Sequence, residues 1–183
     1  MKKILKIGIV VLVVVVVLLV SAVAMFSFDL SSYGATGYQT LNPAGTSIGR
    51  ALVVYDPGYS GAAKQDATRI ADDLQAKGYT VDLAGVRSGT ASNKSGYNII
   101  VAGGPMYWGQ VSSSIDGYSK TVPNSAKLGV FGSTGSSTLS ESDYTSLVNQ
   151  VTSAAHNENA AVKLIRDGNE TNDCADLLSA LVQ

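Results

Sequence analysis

The sequence predicts a three-layer α/β domain built on a mostly parallel sheet, preceded by a single apolar helix. Three observations carry this reading. Short runs of strand-forming residues alternate with helical patterns from about residue 50 to the end, as in a parallel sheet joined by crossover helices. The first run breaks into a glycine loop and then a helical pattern, RALVVYDPGYSGAAK over 50–64, an arrangement that turns unpaired backbone N–H groups toward an anion. Finally, residues 7–28 carry no charge and follow Lys2, Lys3 and Lys6.

That uncharged stretch, Ile7 to Phe28, is 22 residues long, enough at ~1.5 Å per residue to cross a ~30 Å hydrocarbon layer. The three lysines favour the cytoplasmic side, which places the following domain outside the cytoplasm as a single-pass membrane protein. A cleavable signal sequence competes, because Ala22, Val23 and Ala24 offer small residues around a cut. Met25, Phe26 and Phe28 continue the apolar character and favour an uncleaved anchor in contact with membrane lipid. Residues 29–48, rich in Ser, Gly, Thr and Tyr without periodicity, read as a flexible linker. Residues 49–183 then form the folded domain.

Within the domain the first strand is Arg50 to Tyr55, ended by Pro57, Gly58 and Gly61, and the first helix is Ala62 to Lys77, closed by Gly78. Thr80 to Ala84 alternates apolar and polar residues and reads as a half-exposed edge strand. Gly85 to Ser95 is a long crossover. Tyr97 to Ala102 is the third strand, ending at Gly103, Gly104 and Pro105, and Gln110 to Lys120 is a helix. Lys127 to Phe131 is the fourth strand, followed by a glycine and hydroxyl loop from Gly132. Ser140 starts the next helix, Ala160 to Ile165 is the fifth strand, and Thr171 or Asn172 caps the last helix.

Several chemistries are excluded. The 13 basic residues less the three N-terminal lysines leave 10 against 14 acidic ones, so the domain carries about −4 and has no basic run for nucleic acid. One cysteine, Cys174, and one histidine, His156, cannot build a disulfide, a cysteine or histidine metal centre, or a histidine-relayed nucleophile. His156 reads as a surface residue. No Gly-Lys-Ser/Thr follows the first loop, which removes a Walker-type nucleotide site. Asn93-Lys94-Ser95 and Asn169-Glu170-Thr171 are glycosylation sequons that matter only outside the cytoplasm.

The segments ALVVYDPGYSG, YNIIVAGGPMYWG and KLGVFGSTG together resemble flavodoxin-like domains. The first two also resemble the short flavodoxin-type domains of menaquinone-linked protoporphyrinogen dehydrogenases and quinone reductases. The resemblance covers about Arg50 to Gln183 and implies five parallel strands in the order 2-1-3-4-5 with one FMN at the carboxyl ends of the central strands. It implies that Ser60, Gly61, Ala62 and Ala63 meet the phosphate, aided by Lys64, although Ala62 and Ala63 stand where the family has side-chain donors. Asp56, beside that loop, would repel the phosphate unless it points away. It further implies that Gly104, Pro105, Met106, Tyr107, Trp108 and Gly109 border the isoalloxazine, with Tyr107 or Trp108 against the ring. Gly132, Ser133, Thr134 and Gly135 would line its rim, within a loop running to Ser137, and Tyr59 would cover the ribityl chain. Two functions follow: a membrane-tethered FMN protein exchanging electrons with a partner protein or quinone, or a module of the same shape without cofactor that binds other proteins or organises the envelope. The alanines favour the second, the aromatics the first.

Overall fold

A computed structural model of the chain describes residues 2–28, 30–136, 138–154, 160–166 and 171–182. His156 and the Asn169 sequon lie outside the described residues, as does Ser137, and so do the side chains of Thr171 and Asn172. The chain divides into two compact units, Met1–Leu30 and Ser31–Gln183.

The first unit is helix α1, Lys2–Phe28. Its stretch Lys6–Ala24 is long and apolar enough to cross a membrane, and none of it is buried by protein. The valines and leucines of 10–20 are exposed around the whole helix, where a helix of a water-soluble protein would show one polar face.

The second unit holds a seven-stranded mixed sheet with helices on both faces. Its strands are β1 (Tyr38–Leu41), β2 (Gly49–Tyr55), β3 (Tyr79–Gly85), β4 (Ile99–Tyr107), β5 (Gln110–Val111), β6 (Lys127–Thr134) and β7 (Ala161–Arg166). The order is β1-β3-β2-β4-β6-β7, with β5 paired only to β4. The five parallel strands β3-β2-β4-β6-β7 run in the expected order. The expectation of a five-stranded, wholly parallel sheet is nevertheless corrected, because β1 joins β3 antiparallel and β5 folds back on β4.

Alternate residues of each central strand face opposite layers. Val53, Val81, Val101 and Phe131 pack against helix α2 (Ala62–Ala76), through Ala67, Ile70 and Leu74, and against α6 (Thr171–Leu181), through Leu177, Leu178 and Leu181. Leu52, Val54, Ile100 and Val130 face the other layer, formed with the single turn α3 (Gly89–Ser92), α4 (Ser113–Ser119) and α5 (Glu141–Ala154). Because both faces are covered, the central strands are continuously apolar.

The segment read as a flexible linker is instead largely part of this domain. A short 3-10 helix spans Leu30–Gly34, and β1 follows. Gly85 N–H donates to Gly37 O at 2.8 Å and Arg87 N–H to Ala35 O at 2.9 Å. A Cβ on Gly85 would lie 2.3 Å from Ala35 O, so only glycine lets the segment lie down there. β1 left no hydrophobic period because its residues are almost all exposed; the ladder holds it. β3 is accordingly not an open edge, and Val81 to Gly85 are buried.

The polar position in β3 that suggested exposure, Asp82, is 6% exposed. It accepts from Thr40 Oγ1 (2.5 Å), Tyr97 OH (2.7 Å) and Arg50 Nη2 (2.8 Å), while the Arg50 guanidinium lies 4.5 Å from the centre of the Tyr97 ring. Burial works to raise the Asp82 carboxyl, but the three hydrogen bonds and the Arg50 charge outweigh it and hold the group below the usual carboxylate range. Tyr97, desolvated and donating to Asp82, is pushed up to about 12.

Asp82→Asn should cost about 1–2 kcal/mol at neutral pH, since it weakens charged hydrogen bonds to buried groups. A carboxyl depressed on folding stabilises fully above its unfolded value of about 3.9 and loses that contribution as pH falls through its folded value. The gap between parent and variant in urea unfolding should therefore narrow as pH falls below about 3.9; a gap unchanged by pH would show that Asp82 acts through shape alone.

Candidate functional site

At the carboxyl ends of the adjacent strands β2, β4 and β6 the first loop is built on a buried carboxylate, Asp56, tied to β4 and α4. β2 ends at Tyr55 because Pro57 and Gly58 follow; Gly58 and Gly61 both have positive φ, 61° and 75°. Asp56, which the sequence set against an anion, is fully buried. Its carboxylate accepts from Gly58 N–H at 3.1 Å and from Ser114 Oγ of α4, and its own N–H donates to Gly103 O at 2.9 Å. Asp56 thus holds the loop's shape from beneath, and its oxygens are occupied in doing so.

α2 starts at Gly61, which has no side chain to cap it, so the first-turn N–H groups beyond Ala62 lie at the positive end of the helix dipole, where an anion is favoured. Within this turn Ser60 is exposed, and its Oγ accepts from Ala62 N–H at 3.3 Å, which leaves the hydroxyl proton for a ligand. Gly61 and Ala62 are half-buried and Ala63 is buried. Lys64 is exposed, with its Nζ 5.9 Å from the centre of the Tyr55 ring.

The aromatic segment is a strand extension and a tight hairpin. β4 runs on through Gly103, Gly104 and Pro105, which pair with Phe131, Gly132 and Ser133 of β6, where the sequence had suggested a strand end. The glycines serve packing: a Cβ on Gly103 would overlap the Phe131 ring, and one on Gly104 would lie 2.8 Å from Ser112 Oγ. Met106 and Tyr107 pair with Val111 and Gln110, leaving Trp108 and Gly109 as a two-residue turn with φ 49° and 77°. The expected helix over 110–120 begins only at Ser113 for this reason. Val111 is further held by Gln150 of α5, at 2.9 Å and 3.2 Å.

Two positive φ values make the turn one that favours Asn-Gly, yet a tryptophan fills the first place and is 85% exposed. Tyr107 is half-buried and stands near Tyr59 of the first loop, with ring centres 6.5 Å apart. Pro105 closes against the same loop, since a Cβ on Gly58 would meet its ring at 2.9 Å.

The loop expected from Gly132 contributes less than the sequence suggested, because β6 runs past Phe131 to Thr134 and makes Gly132, Ser133 and Thr134 strand residues. A Cβ on Gly132 would lie 2.4 Å from Met106 Sδ, so Met106 covers Gly132. Ser133 is buried and donates to the Asp66 carboxylate of α2, which also meets Arg69 at 3.5 Å. Thr134 and Gly135 lie outward of these, and Thr134 Oγ1 accepts from Ser136 N–H at 3.3 Å. Sequence reasoning missed Ser114, Asp66 and Gln150. Ser114 and Asp66 were legible only as polar residues on the buried side of helical stripes.

A left-handed backbone costs a bulky residue about 1–2 kcal/mol. Trp108→Asn should therefore raise unfolding stability by about 0.5–1 kcal/mol, a shift of a few degrees in Tm. A lower Tm would mean that the indole makes contacts worth more than the turn loses.

A search of protein-family models and a search of curated proteins find no match. Solved structures do resemble the chain. A short-chain flavodoxin associated with a bacterial microcompartment superposes with a TM-score of 0.55 at 17% identity, over 74% of this chain and 97% of that one. An NADH:FMN oxidoreductase in its apo form gives 0.52 at 9% identity, over 74% and 87%. The flavodiiron core Flv1 from Synechocystis sp. PCC6803 gives 0.51 at 18% identity over 75% of this chain, which spans only 36% of it. At these identities the likeness establishes architecture: the second unit has a flavodoxin-like α/β fold.

Proposed function

We propose that this domain binds FMN at the carboxyl ends of β2 and β4 and exchanges electrons with a partner. The observation that carries the reading is the convergence of an uncapped start of α2 with the Tyr59 and Tyr107 rings at adjacent strand ends. Known proteins of the same fold include flavodoxins and an NADH:FMN oxidoreductase, which supports that ligand. N–H groups of Ser60 to Ala63 and the Ser60 hydroxyl would hold the phosphate, with Lys64 adding charge from the outer side. Tyr59 and Tyr107 would flank the ring, with Pro105 and the β4 backbone at its edge. The flavin, when bound, supplies one- and two-electron chemistry. The chain's own part is to bind, orient and shield it.

In this reading α1 anchors the protein in a bilayer, and the N-terminal lysines hold its start in the cytoplasm, leaving the domain on the far side. The electron partner is a membrane quinone or a second redox protein. Protease added to spheroplasts should then degrade the domain; protection there, with digestion after lysis, would reverse the orientation.

One observation favours a cofactor-free module instead. Met106 on Gly132 and Ser133 on Asp66 occupy part of the expected rim, and Ala62 and Ala63 supply no side-chain donors. Titration separates the two readings. FMN should co-elute with the protein and lose its fluorescence at micromolar concentrations, and absence of binding there would leave the module reading. Ala62→Thr should tighten FMN about ten- to a hundredfold, the effect of roughly 1.5–3 kcal/mol for one charged hydrogen bond. An unchanged affinity would move the phosphate away from α2.

A further inference from the structure

We propose that Asn93 is a modification site, the point at which an N-linked oligosaccharide is attached to the domain. The proposal rests on the reading that places the domain outside the cytoplasm. It is independent of FMN and of how α1 and the domain are arranged.

The segment Asn93-Lys94-Ser95 follows the single turn α3 and has the acceptor pattern Asn-x-Ser, with a residue other than proline in the middle. A fixed platform presents it. Ala91 is buried; its N–H donates to Ser88 Oγ at 3.1 Å, and its carbonyl accepts from Tyr118 OH at 2.9 Å. Lys94 is half-buried and lays its Nζ 4.3 Å from the centre of the Tyr118 ring, a cation–π contact. The residues on either side of it, Asn93 and Ser95, are exposed. Anchoring the middle residue thus leaves the two recognition residues of the acceptor in solvent.

The fold leaves the Asn93 amide nitrogen over. An asparagine after a helix commonly serves as a left-handed cap, but Asn93 is extended, with φ −92° and ψ 102°. Its Oδ1 accepts from Ser95 N–H at 3.2 Å, closing an Asx-turn. An aspartate would close that turn equally well, since only an acceptor oxygen is needed. Among the described residues neither Asn93 Nδ2 nor Ser95 Oγ has a hydrogen-bond partner. The backbone is held as locally: Asn93 N–H donates to Thr90 O at 3.2 Å, and among the described residues 94–96 make no backbone bond to a strand. An exposed tip tied by so few bonds is one that a modifying enzyme can draw into its own cleft.

In the transfer, Nδ2 attacks the anomeric carbon of an oligosaccharide carried on a polyprenyl phosphate or pyrophosphate. The Nδ2–C1 bond forms as the C1–O bond to the phosphate breaks. One Nδ2 proton passes to a base of the transferase, the lipid phosphate leaves with the bonding pair, and nothing is oxidised or reduced. The position also suits a bulky addition. A Cβ on Gly96 would lie 3.9 Å from Arg50 Nη1, and Arg50 is at the start of β2, so this segment lies at the amino ends of the strands. The loop built on Asp56 is at their carboxyl ends, and an oligosaccharide on Asn93 leaves it open.

The full-length chain is purified from its native membranes and the peptide holding Asn93 is read by mass spectrometry, in parallel with protease treatment of intact spheroplasts. The expected result is an oligosaccharide mass on Asn93, with the intact chain lighter by that mass in Asn93→Gln and in Ser95→Ala but not in Ser95→Thr. Unchanged circular dichroism shows that the variants fold, and the parent peptide decides the question even where one does not. A bare Asn93 in a domain that the protease reaches overturns this proposal alone. A bare Asn93 in a domain that it does not reach overturns the proposal together with the outward placement. An oligosaccharide found only at Asn169, or one on Asn93 that persists in Ser95→Ala, overturns it as well. FMN takes no part in the measurement, so failure to bind the cofactor leaves the result standing.

Discussion

The buried carboxylate of Asp56 is the constraint on which the loop end of this domain depends. It sits where the chain leaves β2, ties Gly58 N–H into the turn, receives Ser114 from α4 and, through its backbone, binds β4 at Gly103. Without it, the buried Gly58 amide would lose this partner, at a cost of roughly 1–3 kcal/mol, and the Ser114 hydroxyl would keep only Ser112. The left-handed Gly58, the approach of Pro105 and the placement of Tyr59 beside Tyr107 follow from the turn it fixes. A negative group beneath a candidate anion loop is tolerable because its oxygens are directed into the fold.

The same end of the sheet shows a balance between packing and ligand space. Gly103, Gly104 and Gly132 look in sequence like open, ligand-facing backbone. In three dimensions they receive the Phe131 ring, Ser112 with Ile115, and the Met106 side chain. The flank near β6 is thus filled by side chains, and the proposed ligand is confined to the first loop and Tyr107.

What was legible in the sequence follows this division. The central parallel strands announced themselves through runs such as Leu52-Val53-Val54 and Ile99-Ile100-Val101, since burial on both faces leaves a continuous apolar signal. β1 was illegible because Tyr38 to Thr40 are exposed and its stability comes from ladder hydrogen bonds to β3. Asp82 misled because one polar residue in an alternating run signals solvent, whereas here it is the centre of a buried network. The hairpin hid inside a family-like motif: Tyr107-Trp108-Gly109 read as a loop, and only the pairing of Gln110 and Val111 back onto β4 makes it a hairpin. Asp66 and Ser133, distant in sequence, could not be joined from composition.

β1 has one more consequence. A parallel sheet ending at β3 would offer a row of unpaired amides and carbonyls to any neighbouring molecule, a hazard that grows when copies are crowded. A four-residue polar strand laid antiparallel over that row uses it up, and presents in its place a short border from which little further growth can start. At the opposite border β7 carries Lys163 and Arg166, charges that discourage the same pairing. The added segment therefore acts as a selvedge, finishing the sheet so that it does not extend into its neighbours.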